Sequence, residues 1–345
     1  MLPGRSAISR HVPGYGPAMT EHEPLRWGIA ATGGIAASMC EALATLPDAR
    51  ITAVGSRTQE AAANFAARFE IPNAHGTYEA LFADPDVDIV YVASPHSHHH
   101  SMTIGALDAG KHVLCEKAFA LNAAQAREMV DAARRNDRFL MEAMWTWFIP
   151  AVVEVRRRVL DGEIGELKVV EANFGIAVLD PDGRHRRADL AGGAMLDVGI
   201  YPITFARFLA GDPVDAKVIG SLGATGVDAT VGGVVSYSSG AIGVFHTSLD
   251  MPTSQRASVY GTSGRIDVDA PFWFPSGFTV RVTGEEPVHV DMVNNGLAHE
   301  AQHAMERIRE GHRESDVISL ATTVSTMELL DDIRDQLGVV YPQER

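Results

Sequence analysis

Cysteine and basic side chains are both scarce in this sequence of 345 residues. The two cysteines, Cys40 and Cys115, lie in segments of apolar periodicity without a CxxC spacing, which excludes a disulfide framework and gives no zinc-ligand pattern. A reducing, cytoplasmic location is therefore expected. Lysine and arginine number 29 against 44 aspartates and glutamates, for a net charge of −15. This balance argues against nucleic acid or an anionic membrane as the main partner.

Long apolar runs and low-complexity tracts are also missing. Residues 1–24 are rich in proline and glycine and contain no apolar run, so we predict a disordered tail rather than a signal peptide or a membrane span. Met19 is an alternative natural start. The remaining length suits two domains, which we place at residues 25–147 and 148–345.

A glycine-rich turn follows the first predicted strand. Residues 26–46 read as an apolar strand, a turn and an amphipathic helix. We compare this turn with the dinucleotide fingerprint G-x-G-x-x-G/A. The second glycine of the fingerprint is present and the residue at the third position is small, whereas alanine replaces the first glycine. Similar turns also occur without a ligand. The cofactor contacts predicted at this turn are Ala31, Thr32, Gly33, Gly34 and Ile35.

The next predicted strand, residues 51–55, ends in Ser56 and Arg57. Sites that prefer NAD usually place an Asp or Glu here, to bind the ribose 2′-hydroxyl. A hydroxyl and a guanidinium suit a 2′-phosphate better, so we predict that NADP(H) is preferred and that NAD(H) is possible. The alternative is that Ser56 or Thr58 caps the following helix while Arg57 faces water, and both readings can hold at once.

Two further strands, residues 88–94 and 112–116, also end in polar side chains. Strands that alternate with helices predict a parallel, doubly wound Rossmann sheet, whose ligands bind outside the carboxyl ends of the strands. The remaining cofactor contacts expected there are Ser94, Pro95, His96, His99, Glu116 and Lys117. The alternative for the last two residues is a surface ion pair. Four histidines fall within residues 96–100, but no second cluster of ligands lies close by, so we predict no metal site.

Beyond Pro150 the predicted strands dominate. They span residues 167–174, 217–222, 229–237, 241–249, 257–268 and 279–293, and two helices follow at 299–310 and 317–337. This pattern predicts an α+β domain with a large, mostly antiparallel, open-faced sheet, across which the last helix packs back. Helices must cover one face, and the other can pair with a second copy of the chain. We therefore predict a homodimer or homotetramer.

Residues 192–211 form a predicted helix that begins with two glycines. Asp197 and Tyr201 are four residues apart and share one face of it. Pro202 removes one backbone donor, so we expect it to kink or interrupt the helix and to free carbonyls near Val198. The pair could be an ordinary buried contact, but a lysine placed at a strand end upstream favours an active site.

Taken together, three motifs resemble the Gfo/Idh/MocA family of nicotinamide-dependent oxidoreductases. They are residues 113–117 (VLCEK), 141–146 (MEAMWT) and 192–202 (GGAMLDVGIYP), and the resemblance extends from about residue 26 to 337. Within the family, it points to the branch of dimeric trans-dihydrodiol dehydrogenase and NADP-dependent D-xylose dehydrogenase. It implies that Lys117 is the active-site lysine, that Asp197 and Tyr201 belong to the site, and that Arg57 binds the 2′-phosphate.

Three residues depart from the family pattern. Ala31 replaces the first glycine, Ala118 stands where proline is usual, and Trp147 stands where relatives often carry arginine. The last of these changes could alter the choice of substrate. Trp145 and Trp147 are predicted substrate contacts, together with Asp197 and Tyr201.

The expected reaction is hydride transfer between a nicotinamide and a carbinol or carbonyl carbon of a sugar, polyol or cyclic trans-diol. Tyr201 is the expected acid/base, with its pKa lowered by Lys117, and Asp197 orients the substrate or the lysine. Alternatively, Lys117 carries the proton and Tyr201 only contacts the substrate. Two other functions remain open: a nucleotide-binding redox sensor without turnover, and an NAD-dependent glycosidase.

Overall fold

The computed structural model describes residues 23–344, so the predicted tail at residues 1–24 lies almost wholly outside the described residues. The first half of the chain forms a six-stranded parallel sheet in the order β3-β2-β1-β4-β5-β6. Its strands are β1 (Leu25–Ala30), β2 (Ala49–Gly55), β3 (Asn73–His75), β4 (Ile89–Val92), β5 (His112–Glu116) and β6 (Leu140–Ala143). The central strand β4 is buried at every residue, as expected for a parallel sheet covered on both faces.

Helices cover this sheet, and three of them begin at a side-chain cap. Thr58, Thr77 and Asn122 each accept a hydrogen bond from a backbone amide three residues further along the chain. The helices are α1 (Gly34–Leu43), α2 (Gln59–Phe69), α3 (Tyr78–Phe82), α4 (His96–Asp108) and α5 (Ala123–Arg135). The strand order reverses between β1 and β4, which opens a crevice at their carboxyl ends.

The second half forms an eight-stranded sheet in the order β14-β13-β12-β11-β7-β10-β9-β8. Every neighbouring pair is antiparallel except β7 and β10. The strands are β7 (Leu167–Gly175), β8 (Pro213–Leu222), β9 (Asp228–Tyr237), β10 (Ile242–Ser248), β11 (Ala257–Gly261), β12 (Gly264–Val268), β13 (Gly277–Val282) and β14 (Val288–Asp291). The predicted Rossmann sheet and the mostly antiparallel second sheet are thus both confirmed.

Two predicted strands were wrong in extent. Residues 257–268 form the hairpin β11–β12, in which Ala257 pairs with Val268, and residues 279–293 divide between β13 and β14. In the first hairpin the apolar alternation continues on both sides of Thr262 and Ser263, so the period alone does not reveal the turn. In the second, Gly284 adopts a φ of 86° within the turn.

Four helices complete the fold: α6 (Pro150–Leu160), α7 (Ile200–Ala210), α8 (Ala298–Arg309) and α9 (Leu320–Leu337). Every residue of α7 is buried, and α7 packs against β7. Pro202 does not interrupt α7, which corrects the prediction. It lies in the first turn, where a missing amide costs little, and the irregular stretch is a π-helical turn before it, at Met195–Gly199.

Helix α8 packs against the first sheet, and α9 bridges the two sheets instead of packing on the second sheet alone. The indole of Trp27 in β1 contacts Met305 of α8. In α9, Thr323 bonds Glu142 of β6, while Gln336 bonds the carbonyl of Ala216 in β8. Within residues 23–344, no helix has the length and apolarity to cross a membrane.

Candidate active site

A cavity of about 660 Å³ lies at the carboxyl ends of the first sheet. It extends to the turn before α7 and to the loop that joins β7 to that turn. The predicted site residues on its wall are Ala31, Thr32, Gly33, Gly34, Ile35, Ser56, Arg57, Ser94, Pro95, His96, Glu116, Lys117, Asp197 and Tyr201. The fold therefore brings together residues that are up to 170 positions apart in the chain.

The glycine turn leaves room for a ligand. A Cβ atom built on Gly33 or Gly34 would meet no heavy atom within 4 Å, so protein packing does not account for these glycines. Helix α1 begins there without a side-chain cap or an acidic residue in its first turn. Ala31 adopts a φ of 114° and so keeps a glycine-like backbone at the replaced position. Free amides at an uncapped helix start fit the diphosphate of a dinucleotide.

At the end of β2 the structure shows which residue caps α2 and where Arg57 lies. Thr58, not Ser56, caps α2, and its hydroxyl accepts from the amide of Ala61. Ser56 is buried, whereas Arg57 lines the cavity and forms no ion pair with the residues that the structure describes. Glu116 and Asp197 are the acidic residues on the described wall, and neither belongs to β2 or to the turn after it. The end of the cavity beside β2 therefore carries the positive charge of Arg57.

The two predicted histidines have different positions. His96 lines the cavity and donates through Nδ1 to the carbonyl of Ala191 at 3.0 Å, and burial lowers its pKa to about 3. His99 lies behind the wall, where its ring nitrogens are 2.9 Å from the carbonyl of Ala118 and 2.8 Å from that of Ser94. Burial lowers the pKa of His99 to about 4. His99 therefore joins two strand-end loops and is not on the cavity wall.

Lys117 is fixed by the main chain of the opposite half of the chain. Its Nζ donates to the backbone carbonyl of Asp197 at 2.8 Å and lies 4.8 Å from the centre of the Tyr201 ring. Burial opposes the charge, but the neighbouring acidic side chains of Asp197 and Glu116 raise the pKa of Lys117. Lys117 is therefore an ammonium ion. Its peptide bond with Ala118 is cis.

The pKa of Tyr201 is raised, not lowered as expected from the sequence. Burial of the phenol outweighs the opposing effect of the Lys117 charge. The hydroxyl accepts a hydrogen bond from Trp145 Nε1 at 3.0 Å. Tyr201 therefore holds its proton at neutral pH, beside a cation, and is available as a proton donor.

The carboxylate of Asp197 bonds a loop that the sequence did not link to the site. Arg184 Nη2 lies 3.1 Å from Oδ1, and His185 Nε2 lies 2.9 Å from Oδ2. Burial would raise the pKa of Asp197, but the His185 bond and the charges of Lys117 and Arg184 hold it well below its usual range. Asp197 thus orients the lysine through its carbonyl, while its side chain anchors the loop. Arg184, Arg187 and Leu190 of this loop also line the cavity.

Neither predicted tryptophan lines the cavity, and the two have different surroundings. Trp145 belongs to an aromatic cluster beside Tyr201, in which Trp273 lies 5.6 Å from Trp145 and stacks at 5.1 Å on Phe174. Trp147 is buried instead, donates to the carbonyl of Thr204 and stacks on Phe208 at 4.6 Å. It is not part of the cavity wall, so its placement does not support the predicted substrate contact. Among residues 23–344, no group of three metal-binding side chains is present.

Comparison with known proteins agrees with this geometry. Residues 25–144 match the Gfo/Idh/MocA oxidoreductase family with an NAD-binding Rossmann fold, and residues 152–267 match the C-terminal domain of that family. Human trans-1,2-dihydrobenzene-1,2-diol dehydrogenase is 38% identical over 332 residues, which cover 93% of this chain and 99% of that enzyme.

Two solved structures share the architecture. An aldose-aldose oxidoreductase from Caulobacter crescentus, complexed with glycerol, superposes with a TM-score of 0.84 at 26% identity, over 91% of this chain and 97% of that one. A 3-ketoreductase from Actinomadura kijaniata, in complex with NADP and TDP-benzene, gives a TM-score of 0.81 at 26% identity, over 91% and 98%.

Proposed function

The chain belongs to the Gfo/Idh/MocA family of oxidoreductases, and we propose that it is an NADP(H)-dependent dehydrogenase of sugars, polyols or cyclic trans-diols. The observation that carries the proposal is the joint position of Lys117 and Tyr201 on the wall that also contains the glycine turn. A redox sensor without turnover would need the turn but not this pair.

The bound nicotinamide would supply or accept the hydride, and the protein must hold the substrate and move one proton. Gly33 and Gly34 would hold the diphosphate at the start of α1, and Arg57 the 2′-phosphate. Lys117 and Tyr201 would both bond the reacting oxygen. In the reductive direction Tyr201 gives this oxygen its proton, while the ammonium of Lys117 stabilises the negative charge that develops there.

The aromatic cluster of Trp145, Phe174, Trp273 and Phe274 supports a ring-shaped substrate. The centre of the Phe174 ring is 5.4 Å from that of Tyr201, so an apolar ring face packs next to the proton donor. A cyclic diol presents one such face and a pair of hydroxyls at its edge. The names of the human relative and of the two solved structures are consistent with cyclic diols and sugars as the substrate class.

We also propose a homodimer that forms through the outer face of the second sheet, and a cytoplasmic location. Both cysteines are free and buried, which suits a reducing compartment.

The experiment is a panel of cyclic trans-diols, aldoses and anhydrosugars, each offered with NADP⁺ and with NAD⁺ while nicotinamide reduction is followed by absorbance. The proposal predicts turnover of at least one cyclic diol or sugar, faster with NADP⁺. If the protein binds NADP⁺ but no compound of the panel reduces it, the proposal is contradicted.

A further inference from the structure

Four cationic side chains line the cavity, and three of them already have a role. Lys117 bonds the carbonyl of Asp197 beside the proton donor, and Arg184 bonds the carboxylate of Asp197. Arg57 lies at the end of β2, where we place the 2′-phosphate. The fourth cation, Arg187, has no part in the mechanism described above.

Arg187 belongs to the second half of the chain but lies over the crevice of the first. Its carbonyl accepts from the amides of Leu190 and Gly192, at 3.2 and 2.8 Å, which fixes the turn that carries it. Ala191, four residues further along this turn, accepts from His96 at the start of α4. Because α4 follows β4 and α1 follows the neighbouring strand β1, this bond joins the Arg187 turn to the crevice where α1 begins.

The ion pair of Arg187 is one that a ligand can replace. Its partner is Asp189, two residues away, and the two side chains are 49% and 55% exposed. The guanidinium donates to both oxygens of Asp189, but water screens an exposed pair of this kind, which therefore contributes little free energy. The guanidinium is therefore free to turn toward a stronger acceptor in the cavity.

We propose that Arg187 binds the diphosphate of the dinucleotide, so that both halves of the chain hold the cofactor. The inference rests on the proposed use of NADP(H). The diphosphate lies between the two ends of the dinucleotide, and the α1 amides can bind it from one side only. A guanidinium has the planar, forked geometry that binds phosphate oxygens in pairs, and Arg187 can supply it from the other side.

The test measures dissociation constants of the purified full-length protein for NADP⁺, NAD⁺ and 2′-AMP, which carries the 2′-phosphate but no diphosphate. Arg187→Ala should weaken NADP⁺ and NAD⁺ by the same factor, about tenfold, and leave 2′-AMP unchanged. Arg57→Ala should show the opposite pattern, with NADP⁺ and 2′-AMP weakened and NAD⁺ retained. Arg187→Glu should weaken both dinucleotides more than the alanine variant does.

Arg134→Ala is the matched control, since Arg134 is 70% exposed on α5 and lies outside this cavity. It should bind all three ligands as the wild type does. Unchanged dinucleotide affinity in Arg187→Ala would overturn the inference, and so would a weakened affinity for 2′-AMP. Wild-type protein that binds neither NADP⁺ nor NAD⁺ would overturn the proposed function as well.

Discussion

The ammonium of Lys117 bonds the main-chain oxygen of Asp197, at 2.8 Å, and not its carboxylate. The backbone of the π-helical turn that precedes α7 thus holds the Lys117 ammonium next to the Tyr201 phenol. Pro202 offers no amide to the carbonyls of that turn, and the lysine takes one of them. The carboxylate of Asp197 remains available to the loop through Arg184 and His185.

Cofactor preference should depend on Arg57. Replacing it with alanine removes one charge-assisted contact of ~1.5 to 3 kcal/mol, so the KM for NADP⁺ should rise about tenfold or more. The KM for NAD⁺, which has no 2′-phosphate, is the internal control and should stay nearly unchanged. An equal increase for both cofactors would refute the role given to Arg57.

The pH dependence of stability should include a component from Glu142. This carboxyl is fully buried in β6, and burial raises its pKa to about 7, although it accepts a hydrogen bond from Thr323. The pKa of Glu142 is higher in the folded state than in the unfolded state, so its contribution to the free energy of unfolding is most favourable at low pH. That contribution is lost as pH rises toward 7.

Glu142→Gln has no proton to lose. Between pH 5 and 8 the free energy of unfolding of Glu142→Gln should therefore fall less than that of the wild type. The difference should be ~1.4 kcal/mol for each unit by which the fold raises the pKa of Glu142. Denaturant unfolding at several pH values measures both curves. Parallel curves for the two proteins would contradict the assignment.

The outer face of the second sheet should form the dimer interface. Val244 in β10 pairs with Val234 in β9, and both side chains are exposed, at 39% and 42%. A charge placed there would be buried on association, so Val244→Asp should give a monomer in light scattering. Val153→Asp, on α6 at a similar 45% exposure, should leave the dimer intact. Wild-type protein that is monomeric at micromolar concentration would exclude this interface.

The sequence predicted most of the fold because its signals are local. Period, caps and glycine turns located β1, β2, β4 and β5 of the first sheet but not the three-residue β3, and Thr58 caps α2 as one reading required. Turns inside continuous alternation were missed for the same reason, since β11 and β12 share one pattern.

The candidate site was predictable where residues lie at strand ends or on one helix face. Lys117 met the first condition, Asp197 and Tyr201 met the second, and all three line one cavity. Arg184 and Arg187 could not be found in this way, because they belong to an irregular loop whose position depends on tertiary contacts. The raised pKa of Tyr201 was equally hidden, because it reflects how deeply the fold buries the phenol.

The central claim is that Tyr201 transfers the proton beside the Lys117 cation. Tyr201→Phe removes only the hydroxyl, so the NADPH dissociation constant should be retained while turnover falls by on the order of 10² to 10⁴. Lys117→Met should be at least as damaging, and the double variant should be no worse than the poorer single one, because the two residues act as a unit. Tyr237→Phe is the control, since that buried hydroxyl bonds the Ile203 carbonyl outside the cavity.

The most direct measurement is the turnover number of Tyr201→Phe across the pH range, on the substrate that the panel identifies. We expect a large loss of turnover at every pH with cofactor binding intact. Near-normal turnover with an unchanged pH profile would contradict it and assign the proton to Lys117.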